Sequence, residues 1–347
     1  MKVLLDILHP AHVHFFRNAI SELESGGHEV IVTARDKDLT LRLLDLYRIT
    51  YNCISSEAGT KTGLAKELIS RNWKMARIIR RGKPDVIASI GGISTAQAGF
   101  LTRTRNYIFY DTENATLSNL ISYPFATEVV TPECYQGKVR GHHTTYPGYH
   151  ELAYLHPDRF KANPAILLEH GVNPGEPYSV VRFVSWKALH DVKAKGFSVE
   201  EKVRLTRVLE KYGKVYITSE SPLPEEFDRF RLPIPPHQVH HLLAFARLFI
   251  GESATMASES CILGTPFIYL DKVGRGYTNE QDNRYGLGFN FRPWEAPDAI
   301  SKAEEVLSGN MKNNPRLYKA VARMLDEKID VTKFIVGKLL GENSARE

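Results

Sequence analysis

Gly251-Glu252-Ser253-Ala254-Thr255-Met256-Ala257-Ser258-Glu259, followed by Gly264-Thr265-Pro266, stands between two apolar runs, Arg247-Leu248-Phe249-Ile250 and Pro266-Phe267-Ile268-Tyr269-Leu270. The order reads strand, tight turn, helix, strand. A helix start leaves backbone N–H groups without acceptors, and the helix dipole favours negative charge there. A glycine and two hydroxyls at such a helix mouth therefore make an anion site suited to phosphate. Thr255 and Glu259 are four apart and share a helix face. A phosphate near Thr255 leaves Glu259 roughly 6 Å further along the axis, where a carboxylate can accept from a ribose diol. The stretch points to a nucleotide held at a strand's carboxyl end by Gly251, Ser253, Thr255 and Glu259. The plainer alternative is a set of small residues packing a helix against a sheet, with Glu259 in solvent.

The alternation extends in both directions. Strands are expected at 3–8, 29–34, 84–89, 106–110 and 128–131, with helices near 13–25, 36–47, 62–81, 95–101 and 115–121. From Thr131 to Glu176 prolines, tyrosines and histidines interrupt the pattern. It restarts at Tyr178 with a strand to Val184, a helix over 198–212, a strand at 214–218 and a helix over 240–246. A chain of 347 residues is long for one core. The expectation is an α/β protein of two doubly wound, Rossmann-like domains facing across a cleft: 1–170, 171–328, and a terminal helix in 329–347 packing back on the first.

A charged content of 24% with hydrophobic content of 43% is ordinary for a globular protein and excludes a disordered chain. The N-terminal run Met1 to Leu8 is too short and too polar for a signal peptide. No window approaches the ~20 apolar residues of a membrane span, so the expected location is cytoplasmic. Cys53, Cys134 and Cys261 lack metal or redox spacing and read as buried small hydrophobes. The net charge of +5 is concentrated locally. Much of it sits in Arg71, Lys74, Arg77, Arg80, Arg81 and Lys83; within one helix Lys74, Arg77 and Arg81 lie on one side, and Leu64, Leu68, Met75 and Ile79 on another. That is a solvated face or a surface for anionic lipid or polyanion, which would allow peripheral membrane contact. No nucleic-acid-binding module is present.

These segments, in their order, resemble the GT-B superfamily of nucleotide-sugar enzymes over nearly the whole chain. The likeness is to the peptidoglycan N-acetylglucosaminyltransferase and to UDP-N-acetylglucosamine 2-epimerase, and more narrowly to an uncharacterised prokaryotic family of this fold. Pro10-Ala11-His12-Val13-His14-Phe15 occupies the place of the transferase's histidine-bearing first loop, without its glycines. Pro84-Asp85-Val86-Ile87-Ala88-Ser89-Ile90-Gly91-Gly92 is similar to its central strand and Gly-Gly turn. Gly92 stands where the epimerase has a catalytic aspartate. Phe109-Tyr110-Asp111-Thr112-Glu113-Asn114 resembles the transferase's His-Glu-Gln-Asn stretch, and Glu113 matches the epimerase's glutamate at that strand end. Ser253 and Glu259 match the epimerase's phosphate and ribose contacts. Glu280-Gln281 resembles the pair that contacts the donor sugar. Arg182, Ser185 and Lys187, at the first strand end of the donor domain, look like diphosphate contacts.

The resemblance implies sugar transfer from a nucleotide-diphosphate donor, UDP-linked, to an unknown glycan or lipid-linked acceptor. The nucleotide-sugar is then a substrate, and neither a tightly bound cofactor nor a metal is required. His12, Glu113 and Asp111 are the candidate catalytic residues. His12 serves equally as a base or as a loop-ordering group. His9 and His12 can share one side of a turn, but His14 points elsewhere, which disfavours a metal site. Tyr146 and Tyr149 are candidates for stacking on an acceptor sugar, or for packing a turn. The rival readings are nucleotide-sugar epimerisation or hydrolysis, and a non-catalytic polyanion- or membrane-surface-binding protein. A dinucleotide oxidoreductase is disfavoured, because the first strand–helix turn lacks a Gly-x-Gly-x-x-Gly fingerprint.

Overall fold

A strand buried on both faces must be apolar throughout, and β1 (Lys2–Ile7) meets that condition beyond its half-buried first residue Lys2, except at Asp6. The computed structural model describes residues 1–57, 61–113, 115–184, 196–219 and 222–342. The chain divides into two compact units, Met1–Arg159 with Lys328–Glu347, and Phe160–Glu327.

In the first unit β1 is followed by α1 (Pro10–Ser25), β2 (Glu29–Asp36), α2 (Thr40–Leu46), β3 (Asn52–Ser56), α3 (Lys61–Gly82), β4 (Val86–Ile90) and α4 (Ile93–Thr102). Next come β5 (Arg105–Phe109), α5 (Thr116–Ser122), β6 (Glu128–Pro132), β7 (His143–Tyr146) and α6 (Leu152–Leu155). The seven strands lie in the order β3-β2-β1-β4-β5-β6-β7, and every pair is parallel. Chain order reverses direction between β1 and β4, which is where open α/β sheets form a crevice at their carboxyl ends.

The second unit contains α7 (Pro164–Glu169), β8 (Tyr178–Phe183), α8 (Val199–Glu210), β9 (Lys214–Ser219), α9 (Val239–Phe245), β10 (Leu248–Gly251) and α10 (Ala254–Ile262). It continues with β11 (Phe267–Leu270), α11 (Gly276–Asn283), β12 (Gly288–Phe291), α12 (Ala296–Ser308) and α13 (Pro315–Asp326). Its five strands run β12-β11-β10-β8-β9, again all parallel. Here the reversal falls between β8 and β10. Val181, Phe183, Ile250 and Ile268 carry this core against Ala299, Ile300 and Ala303 of α12.

The chain then returns to the first unit in α14 (Val331–Leu340), which packs against α1 and α6. Asp330 caps it, accepting from the N–H groups of Thr332 and Lys333 at 3.0 and 3.3 Å, and pairs with Arg159. Thr332 Oγ1 donates to the carbonyl of Ala153 at 2.6 Å.

Four expectations need correction. The first unit ends at Arg159 rather than at 170. Residues 160–170 join the second unit because α7 packs on α9 and His170 hydrogen-bonds Gln238 at 2.8 Å. The irregular stretch after Thr131 contains a seventh strand, β7, whose alternating polar residues suit a half-exposed edge. Tyr146 and Tyr149 are fully buried and so are not stacking platforms: Phe334 of α14 covers Tyr146 at 4.9 Å and the Lys328 ammonium covers Tyr149 at 4.8 Å. Of the cysteines only Cys261 is buried, while Cys53 is exposed on edge strand β3.

Candidate functional site

Two groups of expected residues gather at strand carboxyl ends, one in each unit. In the second unit β10 ends at Gly251, paired with Arg182 of β8. A Cβ at Gly251 would stand 2.3 Å from the Arg182 carbonyl oxygen, so only glycine lets the two backbones approach here. Ser253 caps α10, its Oγ accepting from the Met256 N–H at 3.3 Å. The hydroxyl proton of Ser253 stays available to a ligand, as do the first N–H groups of the helix at Ala254 and Thr255. Thr255 is half-buried at this mouth. Arg182 reaches across the sheet to donate to Thr218 Oγ1 at 2.9 Å. Ser185 and Lys187 lie outside the described residues, as do Trp186, His190, Asp191 and Asn114.

Glu259 is neither in solvent nor on an open helix face. It is buried, 4% exposed, and its Oε1 meets Nε2 of His240 on α9 at 2.9 Å. Gln281 is also buried and donates to Ser258 Oγ at 2.8 Å, behind α10. Glu280 is half-buried and pairs with Arg284 at 3.2 Å. The helix mouth is therefore gathered as expected, but Glu259 and Gln281 are buried in the packing around α10.

Glu252 has a role the sequence reading missed. Its carboxylate accepts from the N–H groups of Val184 and Phe197 at 2.6 and 2.8 Å, with the Lys202 ammonium 4.0 Å away. It thus joins the end of β8 to the start of the α8 segment. Burial lowers the pKa of Lys202, while Glu252 and Glu201 pull it up. The signal was available: an acid between a strand glycine and an N-cap serine is poorly placed for solvent.

In the first unit β1, β5 and β7 bring together His9, His12, Asp111 and His150. Leu8 N–H donates to Nδ1 of His12 at 3.3 Å, which puts the proton of a neutral ring on Nε2. Burial lowers the pKa of His12 well below 6.5, and His9 and His150 add to this while Asp111 opposes it, so the ring is neutral at physiological pH. His150 Nδ1 lies 3.2 Å from Asp111 Oδ2. With Nδ1–H donating, Nε2 becomes the accepting atom. It is buried and has no hydrogen-bond partner among the described residues. Burial pushes the Asp111 carboxyl up, but His150 and the Thr112 hydroxyl outweigh it and hold its pKa below the usual value. A donor on His12 and an acceptor on His150 form a set able to orient a hydroxyl and take its proton. Glu113 accepts from the Gln136 N–H at 3.3 Å.

His14 leaves the histidine group, its ring packing on Tyr47 and Tyr154 at 5.7 and 5.2 Å. His156, Asp158 and Asp330 place ligand atoms within 4.8 Å of one another, but Asp330 is committed to Arg159 and the α14 cap. At Gly92 a Cβ would meet Ser89 Oγ at 2.1 Å, so this backbone leaves no room for a side chain.

The comparisons with known proteins agree with this architecture. A family model described as "Protein of unknown function (DUF354)" matches residues 1–155. An uncharacterized protein of Methanocaldococcus jannaschii is 22% identical over 285 residues, 77% of this chain and 81% of that protein. The structure of UDP-GlcNAc 2-epimerase from Neisseria meningitidis bound to UDP-GlcNAc superposes with a TM-score of 0.64 at 12% identity, covering 99% of this chain and 100% of that one. The spinosyn forosaminyltransferase SpnP superposes with a TM-score of 0.64 at 13% identity, covering 99% and 100%. The chain has the GT-B fold, built from two Rossmann-like units and shared with nucleotide-sugar epimerases and glycosyltransferases.

Proposed function

We propose that the protein transfers a sugar from a nucleotide-diphosphate donor, UDP-linked, to an acceptor hydroxyl. The observation that carries this reading is the β10–α10 turn, at the point where strand order reverses in the second sheet. Its glycine, N-cap serine, Thr255 hydroxyl and first helix N–H groups suit a diphosphate. In the reaction the acceptor oxygen bonds to the anomeric carbon as the bond from that carbon to the diphosphate breaks. Negative charge then grows on the departing diphosphate, where the helix mouth and Arg182 stabilise it. The His12–Asp111–His150 set takes up the acceptor proton. Backbone and basic groups supply the charge stabilisation, so the reading assigns no metal ligand.

Epimerisation is the second reading, favoured by the likeness to UDP-GlcNAc 2-epimerase structures. Against it stands Gly92, where the resemblance implies a catalytic aspartate and the backbone has no space for one. The test is incubation with UDP-N-acetylglucosamine, following products by NMR. Release of UDP that depends on an added acceptor supports transfer. Formation of the 2-epimer without acceptor overturns it.

A further inference from the structure

The first unit holds a cavity of about 430 Å³ beside the β1/β4 reversal. Its walls are mostly apolar, formed by Leu8 after β1, Leu64 and Leu68 of α3, Ile93 of α4, and Leu117 and Ile121 of α5, and the Arg35–Glu67 ion pair, 2.7 Å apart, also lines it. The apolar side of α3 is divided. Met75 and Ile79 enter the core, whereas Leu64 is 48% exposed. Leu117 is 70% exposed. An amphipathic helix normally buries such positions, so this part of the surface is shaped for something other than self-packing.

Two polar side chains at the cavity are more than nine-tenths buried and incompletely paired. Ser94 is 3% exposed, and its Oγ has no hydrogen-bond partner among the described residues. Arg71 is 4% exposed. It belongs to the basic run of α3, but Asp6 draws it into the core. Its guanidinium pairs with Asp6 and donates to Ser55 Oγ at 2.7 Å, while Nε–H has no acceptor among the described residues. Asp6 in turn accepts from Thr33 and Thr95 at 2.7 and 3.0 Å, which fixes Arg71 in place. Buried donors without acceptors are rare in native proteins, and a ligand is one standard explanation.

We propose that this cavity binds an amphiphile, with an apolar body against the leucines and an oxygen acceptor that meets Ser94 and Arg71 Nε–H. Because Asp6 already balances the guanidinium charge, a neutral hydroxyl or carbonyl oxygen suffices. A head group that only donates can meet Ser94 Oγ or the Glu67 carboxylate, but it leaves the Arg71 Nε–H without an acceptor. As the acceptor site for sugar transfer, the assignment rests on the proposed function; as a binding site it stands alone.

Calorimetric titration of the full chain with 1-octanol, octanoate and octylammonium tests it. Octanol and octanoate saturate one site, and octylammonium binds at least ~10-fold more weakly, the factor expected for one lost hydrogen bond to a charged group. Ser94→Ala removes a hydroxyl with no partner, so its melting temperature is retained while octanol binding weakens several-fold. Ala65→Phe, at an exposed cavity-lining position of α3, fills the cavity and abolishes octanol binding. UDP binding is unchanged in both variants. Absence of saturable octanol binding, equal binding of octylammonium, or unaltered binding in both variants overturns the proposal. Octanol binding without any UDP binding overturns the transferase reading and leaves the cavity assignment standing.

Discussion

At the carboxyl end of β10 the second unit presents a site contiguous in sequence, built from a glycine, hydroxyls and helix N–H groups. At the ends of β1, β5 and β7 the first unit gathers His12, Asp111 and His150 from segments far apart in the chain. On the proposed function, the first kind of site would bind a diphosphate through fixed dipoles that do not titrate near neutral pH. The second titrates, and its protonation depends on burial and on neighbouring charges. One suits a ligand of constant charge, and the other suits proton transfer. Unit 1 therefore ought to carry the pH dependence of catalysis, and unit 2 the affinity for the donor.

Separating the two units tests this contrast most strongly. Asp111→Asn leaves His150 without its carboxylate, and the transfer rate should fall ~100-fold or more, the range of general-base contributions. UDP affinity, measured by calorimetry, should not move. A matching loss of UDP affinity would break the division of labour.

Asp6→Ala leaves Arg71 buried and unpaired beneath the cavity. The expected loss is about 3–5 kcal/mol of stability, read in urea unfolding. In the second unit Ser253→Ala removes the α10 cap and costs about 1 kcal/mol. The unequal costs extend the comparison of the two units, since the cavity of the first rests on a buried ion pair and the helix mouth of the second on a helix cap.

The pH responses should also differ. The folded pKa of His12 is lowered, so the unfolded chain binds more protons and stability falls as pH drops below 6.5 toward the folded value. His12→Asn should flatten that part of the curve. In the second unit burial lowers Lys312 from 10.5 to about 8. Its contribution makes stability rise between pH 8 and 10.5, and Lys312→Met should remove the rise. Thermal melts across the pH range check both.

The legibility of each site in the sequence follows from the same contrast. Strand–turn–helix periodicity is local, so the β10–α10 turn and the parallel α/β class could be read directly. Ser253 and Thr255 fall where the spacing puts them. The burial of Glu259 against His240 is not legible, because His240 comes from α9 and helical spacing says nothing about a neighbouring helix. His12 and Asp111 stood out beside strand ends. The pairing of Asp111 with His150 depends on β7, a short edge strand whose polar residues carry no apolar signal. Arg71 counts only as one of a basic run in the sequence, because sequence shows charge but not burial. The acid in β1 was the clue, since a carboxylate inside an apolar strand requires a buried partner.

The most direct test of the central claim is calorimetric titration of UDP into wild type and Thr255→Val, a near-isosteric change that deletes one hydroxyl at the α10 mouth. A diphosphate site at the α10 mouth requires saturable UDP binding that weakens several-fold in the variant while the melting temperature stays the same. No UDP binding to the wild type, or equal binding to both proteins, would contradict a nucleotide-diphosphate site at this helix.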